Sequence, residues 1–504
     1  MRTGSGCLMD PGSCSGSLEN VAEGTAAQPP DAVHGRLRVR VEESVFAVDK
    51  ALLLEGSEYF RALFRSGMKE CRQQEIRVGG LSSGGFLLAL SVLNGARPVL
   101  NADEIVAAIE CAAFLQVERL VQHLIDSVNS DNCLLMYHTA GTYGLPELFR
   151  RAALFIRDMH RDLEDGLASL PKQLVDYVES LLPSSYVMVG THSPSDELLR
   201  DPVRTVCYLD EDEQDWRVLT HLPVDVSTTM AGVAVLDNKL YIVGGVRDMR
   251  KNVVDSGFCY DPVMDAWSTF PSPRQLRYNL TLVGIDDRLY ALGGVHERKP
   301  LSSVEALRVS TNTWSFAADL PRAATAVPCA KAMSRVFICL WKCKDTTELY
   351  EYVPLRDQWA FISSLTRPRS YGHFMVSHRD NLYIVRNGPD DDFLRCMMDC
   401  YNLTTNQWTA LPGQYEALFT TAIRGDSAFT LNRNMTLEYA IGDLQWKTRR
   451  RMNGFPRIGS MWTFLLRFPK RRNEPPGNTA IMTNSRGLGH CGVLSKSPPS
   501  PCLY

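Results

Sequence analysis

Leu240-Tyr-Ile-Val-Gly-Gly245 is followed about 50 residues later by Leu289-Tyr-Ala-Leu-Gly-Gly294. Each stretch is a short apolar run that ends in a glycine pair. Such a run is typical of a buried strand whose end is approached closely by another backbone. Weaker copies are Val336-Phe-Ile-Cys-Leu340 and Leu382-Tyr-Ile-Val-Arg-Asn-Gly388. The copies predict an array of similar β units.

A tyrosine seven residues before a tryptophan recurs in the same region. The spacing is kept at Tyr260–Trp267, Tyr352–Trp359, Tyr401–Trp408 and Tyr439–Trp446; Tyr208–Trp216 has one extra residue, and Leu307–Trp314 lacks the tyrosine. The six tryptophans lie 38 to 51 residues apart. Large amphipathic rings at a fixed place in each unit suit packing between neighbouring sheets. A period near 50 indicates that each repeat is one unit of a larger array.

Glycine pair, tyrosine and tryptophan together resemble the kelch motif, which implies a kelch-repeat β-propeller over residues 183–468. Six units favour six blades, and five blades with an irregular join are the alternative. One blade would be completed from both ends of the array, by Tyr186-Val-Met-Val-Gly190 and by Trp462-Thr-Phe-Leu-Leu-Arg-Phe468. Such closure leaves no free sheet edge. The acidic run at 210–213 is interpreted as a solvated turn.

Before residue 183 the apolar residues fall mainly at helical spacing. Ser57 is placed to cap a helix that Gly67 ends. The stretch Ser57-Glu-Tyr-Phe-Arg-Ala-Leu-Phe-Arg-Ser-Gly-Met-Lys-Glu70 resembles the BTB (POZ) domain. Residues 34–129 are therefore predicted to form a BTB domain. Residues 130–182 resemble a truncated BACK segment. The predicted fold class is multidomain, α+β followed by all-β.

The two ends of the chain, 1–33 and 469–504, are rich in small residues and proline and are predicted to be disordered. No signal-like apolar run and no stretch of 18 apolar residues occurs, so we expect a cytoplasmic protein without a membrane span. The chain has 54 basic and 57 acidic residues among 504. This balance argues against a polybasic partner of nucleic acids or membrane surfaces.

The BTB-BACK resemblance implies binding of cullin-3 through a hydrophobic-x-Glu motif, and through cullin-3 a RING subunit. The motif matches Met68-Lys69-Glu70, beside Phe64. A flexible thioether next to a carboxylate suits a mixed contact, because the methionine fills a pocket and the charge fixes the register. The alternative is that Met68 and Glu70 merely finish a helix and a turn.

The resemblance also implies a homodimer, with two family positions near the dimer interface. These align with Arg36 and Asp49, where the charge types are exchanged relative to the family pattern. The exchange either keeps a salt bridge with reversed direction or alters the dimer geometry.

The kelch resemblance implies substrate-binding candidates, because kelch units place a basic or polar residue just before the innermost strand, near the channel mouth. Arg247 instead follows Gly-Gly-Val, where another loop would meet the same face. Arginine and tyrosine are favoured anchors at interfaces, and a set of arginines suits an acidic protein segment. The alternative is that each is a solvated loop residue. The candidates are Arg247, Arg277, Tyr278, Arg369, Tyr371 and Arg457.

No catalytic, metal or cofactor motif is recognised. The pairs Cys339–Cys343 and Cys396–Cys400 have the wrong spacing for a zinc site, so buried thiols are expected. The sequence therefore predicts a non-catalytic substrate adaptor of a cullin-3 RING ubiquitin ligase. The alternative is a structural protein that binds actin or another filament. A transcription regulator ranks below both, because no DNA-binding module or basic stripe is found.

Overall fold

The computed structural model describes residues 36–469 apart from 70–72, 193–202, 214, 248–249, 344, 355, 368–370, 388–395, 415–419, 432–434, 442–444 and 452–456. The segments predicted to be disordered, 1–33 and all but the first residue of 469–504, lie outside the described residues. Among the described helices, none combines the length and the apolar character needed to cross a membrane.

A small mixed sheet and a group of helices form the N-terminal module. The strands, in sheet order β2-β1-β3, are β1 (Arg36–Val41), β2 (Ser44–Asp49) and β3 (Glu75–Val78). The helices are α1 (Lys50–Gly56), α2 (Glu58–Arg65), α3 (Ser83–Leu93), α4 (Ala102–Leu115), α5 (Glu118–Asp126), α6 (Cys133–Tyr143), α7 (Pro146–Asp158), α8 (Glu164–Leu167) and α9 (Lys172–Ser180). One hydrophobic core joins the sheet to the last helices, from Val39 to Ile156 and Val178.

Ser57 caps α2 as the sequence predicts. Its hydroxyl accepts from the Phe60 amide at 3.3 Å and donates to the Leu115 carbonyl at 2.6 Å. The second bond ties α2 to the end of α4. Gly67 follows the helix with a φ of 71°, a conformation that glycine adopts at little cost.

The rest of the described chain contains six four-stranded antiparallel sheets. The first contains β4 (Ser184–His192), β5 (Val203–Asp210), β6 (Asp215–His221) and, from the far end of the chain, β29 (Arg457–Arg467). The second contains β7 (Gly232–Leu236), β8 (Lys239–Val243), β9 (Ser256–Asp261) and β10 (Ala266–Pro271). The third contains β11 (Thr281–Ile285), β12 (Arg288–Leu292), β15 (Val304–Arg308) and β16 (Thr313–Ala317), with a two-stranded hairpin, β13 (Val295–His296) and β14 (Lys299–Pro300), inserted before β15.

The remaining sheets have the same plan. The fourth contains β17 (Cys329–Ala332), β18 (Arg335–Cys343), β19 (Thr346–Val353) and β20 (Gln358–Thr366). The fifth contains β21 (Tyr371–His378), β22 (Asn381–Asn387), β23 (Cys396–Asn402) and β24 (Gln407–Gln414). The sixth contains β25 (Thr420–Arg424), β26 (Ser427–Leu431), β27 (Met435–Ala440) and β28 (Gln445–Arg451).

The innermost strands contact one another in the order β7, β11, β17, β21, β25 and β29, and β29 contacts β7. They line a central cavity of about 840 Å³. The predicted pairing of the two ends of the array is confirmed, since Trp462 on β29 lies opposite Val189 on β4. The sheets are consistent with kelch propeller blades.

The repeated tyrosine and tryptophan join neighbouring sheets. The rings of Tyr352 and Trp359 lie 5.0 Å apart. The indole nitrogen of Trp359 donates to the Ala318 carbonyl of the preceding sheet at 3.0 Å, and that of Trp314 donates to Pro271 at 2.7 Å. Trp267 and Trp408 donate in the same way to Thr220 and Ser363, so the spacing read from the sequence reflects an indole contact made by the second to fifth sheets.

The first glycine pair lies where two sheets meet. Gly244 has a φ of 66°, and a Cβ added there would lie 2.2 Å from the Arg277 carbonyl oxygen. A larger residue does not fit, as the sequence pattern predicts.

Antiparallel strands reverse direction at each turn, so the turns of every sheet alternate between two ends of the array. We call the end with the turns 332–335, 378–381 and 424–427 the docked end. The open end carries the loops 244–255 and 293–303, together with the connections between sheets, such as 272–280.

Candidate functional site

Both dimer-interface candidates lie on one hairpin. Arg36 on β1 is paired in register with Asp49 on β2, and both side chains are exposed. The Asp49 carboxylate accepts from the Ala51 amide at 2.8 Å and so caps α1. The exchanged charges therefore face each other within one chain, and their place in a dimer stays a prediction.

The cullin-binding candidates follow α2. Phe64 is partly buried, with the Lys50 ammonium 4.1 Å from its ring centroid. Met68 is 52% exposed. Glu70 lies outside the described residues. A methionine this exposed does not serve the core, which leaves its thioether available to a partner.

Two further aromatic side chains of the N-terminal module are exposed and were missed by the sequence reasoning. Phe114 near the end of α4 is 43% exposed, and its ring centroid lies 5.2 Å from that of Tyr59 on α2. Tyr143 at the end of α6 is 39% exposed, and its hydroxyl contacts the Glu110 carboxylate at 3.4 Å. The signal available in the sequence was an aromatic residue at the predicted end of each helix.

Polar contacts fix the N-terminal module on the docked end. Ser334, in the turn between β17 and β18, donates to Asp126 Oδ1 at 2.9 Å. The Gln122 amide donates to the Ser334 hydroxyl at 2.8 Å and to Asp126 at 3.0 Å. These three side chains form a closed triangle between α5 and the fourth sheet.

A second cluster joins the turn before α6 to the fifth and sixth sheets. Asp426 accepts from the Ser130 hydroxyl at 2.6 Å, and its other oxygen lies 2.9 Å from His378 Nε2 and 3.1 Å from Arg379 Nη2. Burial opposes ionisation of Asp426, but the Ser130 hydrogen bond and the Arg379 charge outweigh it and hold the pKa of Asp426 below its usual value. Burial lowers the pKa of His378 in spite of the adjacent carboxylate. The cluster is therefore an anion held by a neutral histidine, a hydroxyl and a cation.

The third docking contact is an ion pair at the closure of the array. Arg467 at the end of β29 contacts Asp158 at 2.5 Å and donates to the Leu182 carbonyl at 2.7 Å. Asp158 lies at the end of α7, so this pair joins the last propeller strand to the helices.

The acidic run at 210–213 is a solvated turn only in part, because Asp210 is buried and Glu211 is half-buried, whereas Asp212 and Glu213 are exposed. Glu211 accepts from both terminal nitrogens of Arg424, at 2.6 and 2.8 Å. Asp212 contacts Arg161 at 3.2 Å and so links the first sheet to the N-terminal module.

Arginines before the innermost strands pair inside their own sheets. Arg277 contacts Glu305 on β15 at 2.5 Å, and neither side chain has exposed surface. Arg367 contacts Asp399 on β23 at 2.8 Å. In the third such pair, Arg322 contacts Glu348 on β19.

These pairs correct the interpretation of Arg277 as a substrate contact. Burial lowers the pKa of its guanidinium, and the Glu305 carboxylate opposes that effect. Arg277 also donates to the carbonyls of Gly293 and Ser303. Its hydrogen-bonding capacity is used within the fold, because an unpaired buried charge is costly.

The other substrate candidates that the structure describes fall on the open end. Arg247 is exposed and contacts Asp255 at 3.1 Å. Tyr278 is 7% exposed. The structure describes only the backbone at Tyr371 and Arg457, which lie on β21 and β29. Arg369 lies outside the described residues.

A buried charge within the fifth sheet was also missed. Arg386 on β22 has no exposed surface, and its Nε lies 2.9 Å from Asp399 Oδ2. It donates to the Thr347 hydroxyl of the neighbouring sheet at 3.1 Å. The signal in the sequence was an arginine where other units carry the first glycine.

Cysteines of the two pairs that the structure describes are not gathered with other potential metal ligands. Cys339 is buried, and burial raises the pKa of its thiol to about 12. Burial likewise raises the pKa of Cys400 to about 11. Among the described residues, no group of three potential ligands converges.

Comparison with known proteins agrees with both modules. Residues 37–132 match the BTB/POZ domain model, and residues 227–274 and 276–321 match the Kelch motif. The chain belongs to the BTB-kelch family.

Three relatives are similar over nearly their whole length. Kelch repeat and BTB domain-containing protein 13 is 52% identical in Homo sapiens, with 88% of this chain and 97% of the relative covered. The Mus musculus form is also 52% identical, with 87% and 96% covered. Kelch-like protein 42 of Homo sapiens is 28% identical, with 83% and 95% covered.

Proposed function

We propose that this protein is a non-catalytic substrate adaptor of a cullin-3 RING ubiquitin ligase. The N-terminal module recruits the cullin, and the propeller holds a protein substrate. Ubiquitin transfer then arises from proximity rather than from chemistry on this chain. The observation that carries the proposal is the attachment of a partner-binding module to one end of a propeller whose other end is directed away from it.

The cullin-binding part of the proposal rests on exposed apolar side chains. Met68 follows α2, and Phe114 lies beside Tyr59 of the same helix. Apolar groups of this size at a surface are typical of protein interfaces, where aromatic residues and methionine are enriched. Glu70 supplies the charged position of the motif in the sequence.

The substrate-binding part rests on the docked geometry. Ser334, Asp426 and Arg467 hold the N-terminal module at three places on the docked end. Several separate anchors resist rotation better than one, so the open end keeps a defined orientation relative to the helices. An adaptor benefits from this, because the substrate must be held at a fixed place.

The test is a calorimetric titration of the cullin-3 N-terminal domain into the full chain and into Glu70→Lys. The proposal expects binding that the variant abolishes without a change in the unfolding temperature. Glu43→Lys, an exposed position in the turn between β1 and β2, is the matched control and should bind normally. Absence of binding to the folded wild-type chain would reject the proposal.

The alternative function is binding to actin or another filament, with cross-linking through a BTB dimer. It is favoured if the full chain sediments with filaments and Glu70→Lys does so equally well. Arg369→Glu should weaken sedimentation under this alternative and leave cullin binding unchanged.

A further inference from the structure

The N-terminal module covers only part of the docked end. The turns that follow the innermost strands of the fourth, fifth and sixth sheets contact it through Ser334, Arg379 and Asp426. The first sheet contacts it through Arg467. In the described part of the chain, no hydrogen bond or ion pair joins it to the corresponding turns of the second and third sheets, 236–239 and 285–288.

Exposed apolar side chains lie at the same end of the second sheet. Val263 and Met264, in the turn between β9 and β10, are 51% and 74% exposed. This turn lies two strand spacings, about 10 Å, from the turn 236–239. Contiguous apolar groups rimmed by polar residues mark interaction sites. We call the turns 236–239, 261–266 and 285–288 together the uncovered turns.

The uncovered turns are acidic. Asp237 and Asp286 are exposed, and no described basic side chain lies within ion-pair distance of either carboxylate. Asp287 is exposed and lies 3.6 Å from Arg288 and 3.8 Å from Arg308. Around these turns there are five carboxylates, at 237, 261, 265, 286 and 287, against three basic side chains, at 239, 288 and 308. The surface therefore favours a basic, partly apolar occupant.

The last described residues lead directly onto this surface. The Arg467 amide donates to Asn238 Oδ1 at 2.7 Å, and the Asn238 side-chain amide donates to the Arg467 carbonyl at 2.8 Å. Phe468 is buried, and its ring centroid lies 5.2 Å from that of Tyr208. The chain therefore leaves the propeller beside the turn that carries Asp237.

A basic segment follows at once in the sequence. Lys470-Arg-Arg472 begins two residues after Phe468 and lies outside the described residues. An extended chain spans about 3.5 Å per residue, so the segment extends to about 14 Å from Phe468. The second and third sheets are in contact at this end, because a Cβ added at Gly284 would lie 2.9 Å from Leu236 Cβ. Packed sheets lie about 10 Å apart, so both of their turns are within reach.

We infer that the segment Lys470–Arg472 docks on the uncovered turns of its own chain, with its basic side chains against Asp237, Asp286 and Asp287. Ammonium and guanidinium groups pair with carboxylates, and the arginine fork adds directionality. Each exposed pair is weak alone, but a segment attached beside its site is present at a high effective concentration. The inference does not depend on the proposed function. Docking would hold the seam where the two ends of the array join.

The first test is zero-length cross-linking of the full chain with a carbodiimide, which joins a lysine amine to a carboxylate that it contacts. We expect mass spectrometry of the digested protein to find Lys470 joined to Asp237, Asp286 or Asp287. A mixture of isotopically labelled and unlabelled protein separates links within one chain from links between copies. The inference fails if Lys470 is not linked to these turns, or if it is linked to them only between copies.

The second test is the rate of trypsin cleavage after Lys470, Arg471 and Arg472 in the folded protein. Asp237→Asn with Asp286→Asn removes two charges at φ angles of 48° and 51°, which asparagine tolerates, so the unfolding temperature should not change. We expect about fivefold faster cleavage in this variant, and the difference should disappear at high salt.

The matched control is Asp225→Asn with Asp319→Asn, which removes two exposed carboxylates from connections between sheets at the open end. It should be cleaved at the wild-type rate. Equal cleavage of the wild type and the Asp237 and Asp286 variant, or equal acceleration by the control, would overturn the inference.

Discussion

Arg277 Nη2 lies 2.5 Å from Glu305 Oε1 in the third sheet, and both side chains are completely buried. Glu305 also accepts hydrogen bonds from the backbone amides of Arg274 and Gln275, at 2.7 and 3.0 Å. One carboxylate therefore fixes the connection that leads from the second sheet into β11. A charge buried in this way is tolerated because its partners satisfy it.

We expect Arg277→Met to lower the free energy of unfolding by about 3–5 kcal/mol, because Glu305 would remain buried without its cation. Urea denaturation measures the loss. The double variant Arg277→Met with Glu305→Gln should recover part of it, because neither charge remains and the glutamine oxygen can still accept from the backbone amides. Equal loss in the single and the double variant would contradict the explanation. Arg298→Ala is the exposed control and should change the stability little.

The indole hydrogen bonds between sheets should contribute to stability. Trp314→Phe keeps an aromatic ring but removes the donor to the Pro271 carbonyl. We expect a loss of about 0.5–1.5 kcal/mol, the net contribution of one hydrogen bond, because the exposed Pro271 carbonyl can bond to water instead. Thermal unfolding measures the effect. Phe316→Leu, two residues away and exposed, should have little effect; a similar loss there would mean that the indole bond is not the cause.

The pair of Arg467 and Asp158 should hold the N-terminal module on the docked end. Arg467→Glu places two carboxylates together and removes a donor to Leu182. We expect a larger radius of gyration in X-ray scattering and faster proteolysis between α9 and β4. Adding Asp158→Arg restores opposite charges and should reverse most of the effect. Failure of the exchange to restore compactness would show that the ion pair is not what holds the module.

The docking cluster should weaken in acid. Burial lowers the pKa of His378 below the ordinary 6.5, so its unfolded form binds protons first as the pH falls. The pKa of Asp426 is also lowered, so its contribution is present above the ordinary carboxyl pKa and is lost as the pH falls through the folded value. Stability should therefore decrease from about pH 6.5 downwards.

His378→Gln tests this pH dependence through unfolding at pH 7.5 and 5.5. The variant should lose less stability between the two pH values than the wild type. Some loss should remain, because burial also lowers the pKa of His123 beside the Pro98 carbonyl. An unchanged pH dependence in the variant would contradict the role of His378.

The fold could be predicted because its signals are local. Ser57 indicates a helix start because its hydroxyl bonds to an amide only three residues away. The tyrosine–tryptophan spacing marks a turn within one sheet, and the glycine pairs mark strand ends. Candidate binding residues were harder to predict, since an arginine before a strand looks the same whether it faces solvent or a buried carboxylate.

The sequence by itself determined the order of the modules and the repeated units, because periodicity and spacing are local properties of the chain. The pairing of the last strand with the first followed from the incomplete unit at each end of the array. Only the tertiary structure decided which charges are available. Arg277 and Glu305 are 28 residues apart, and the register of separate strands brings them together. The same packing leaves Arg298 exposed at a turn. Burial and charge pairing depend on contacts across the fold, and those contacts are not encoded in any single stretch of sequence.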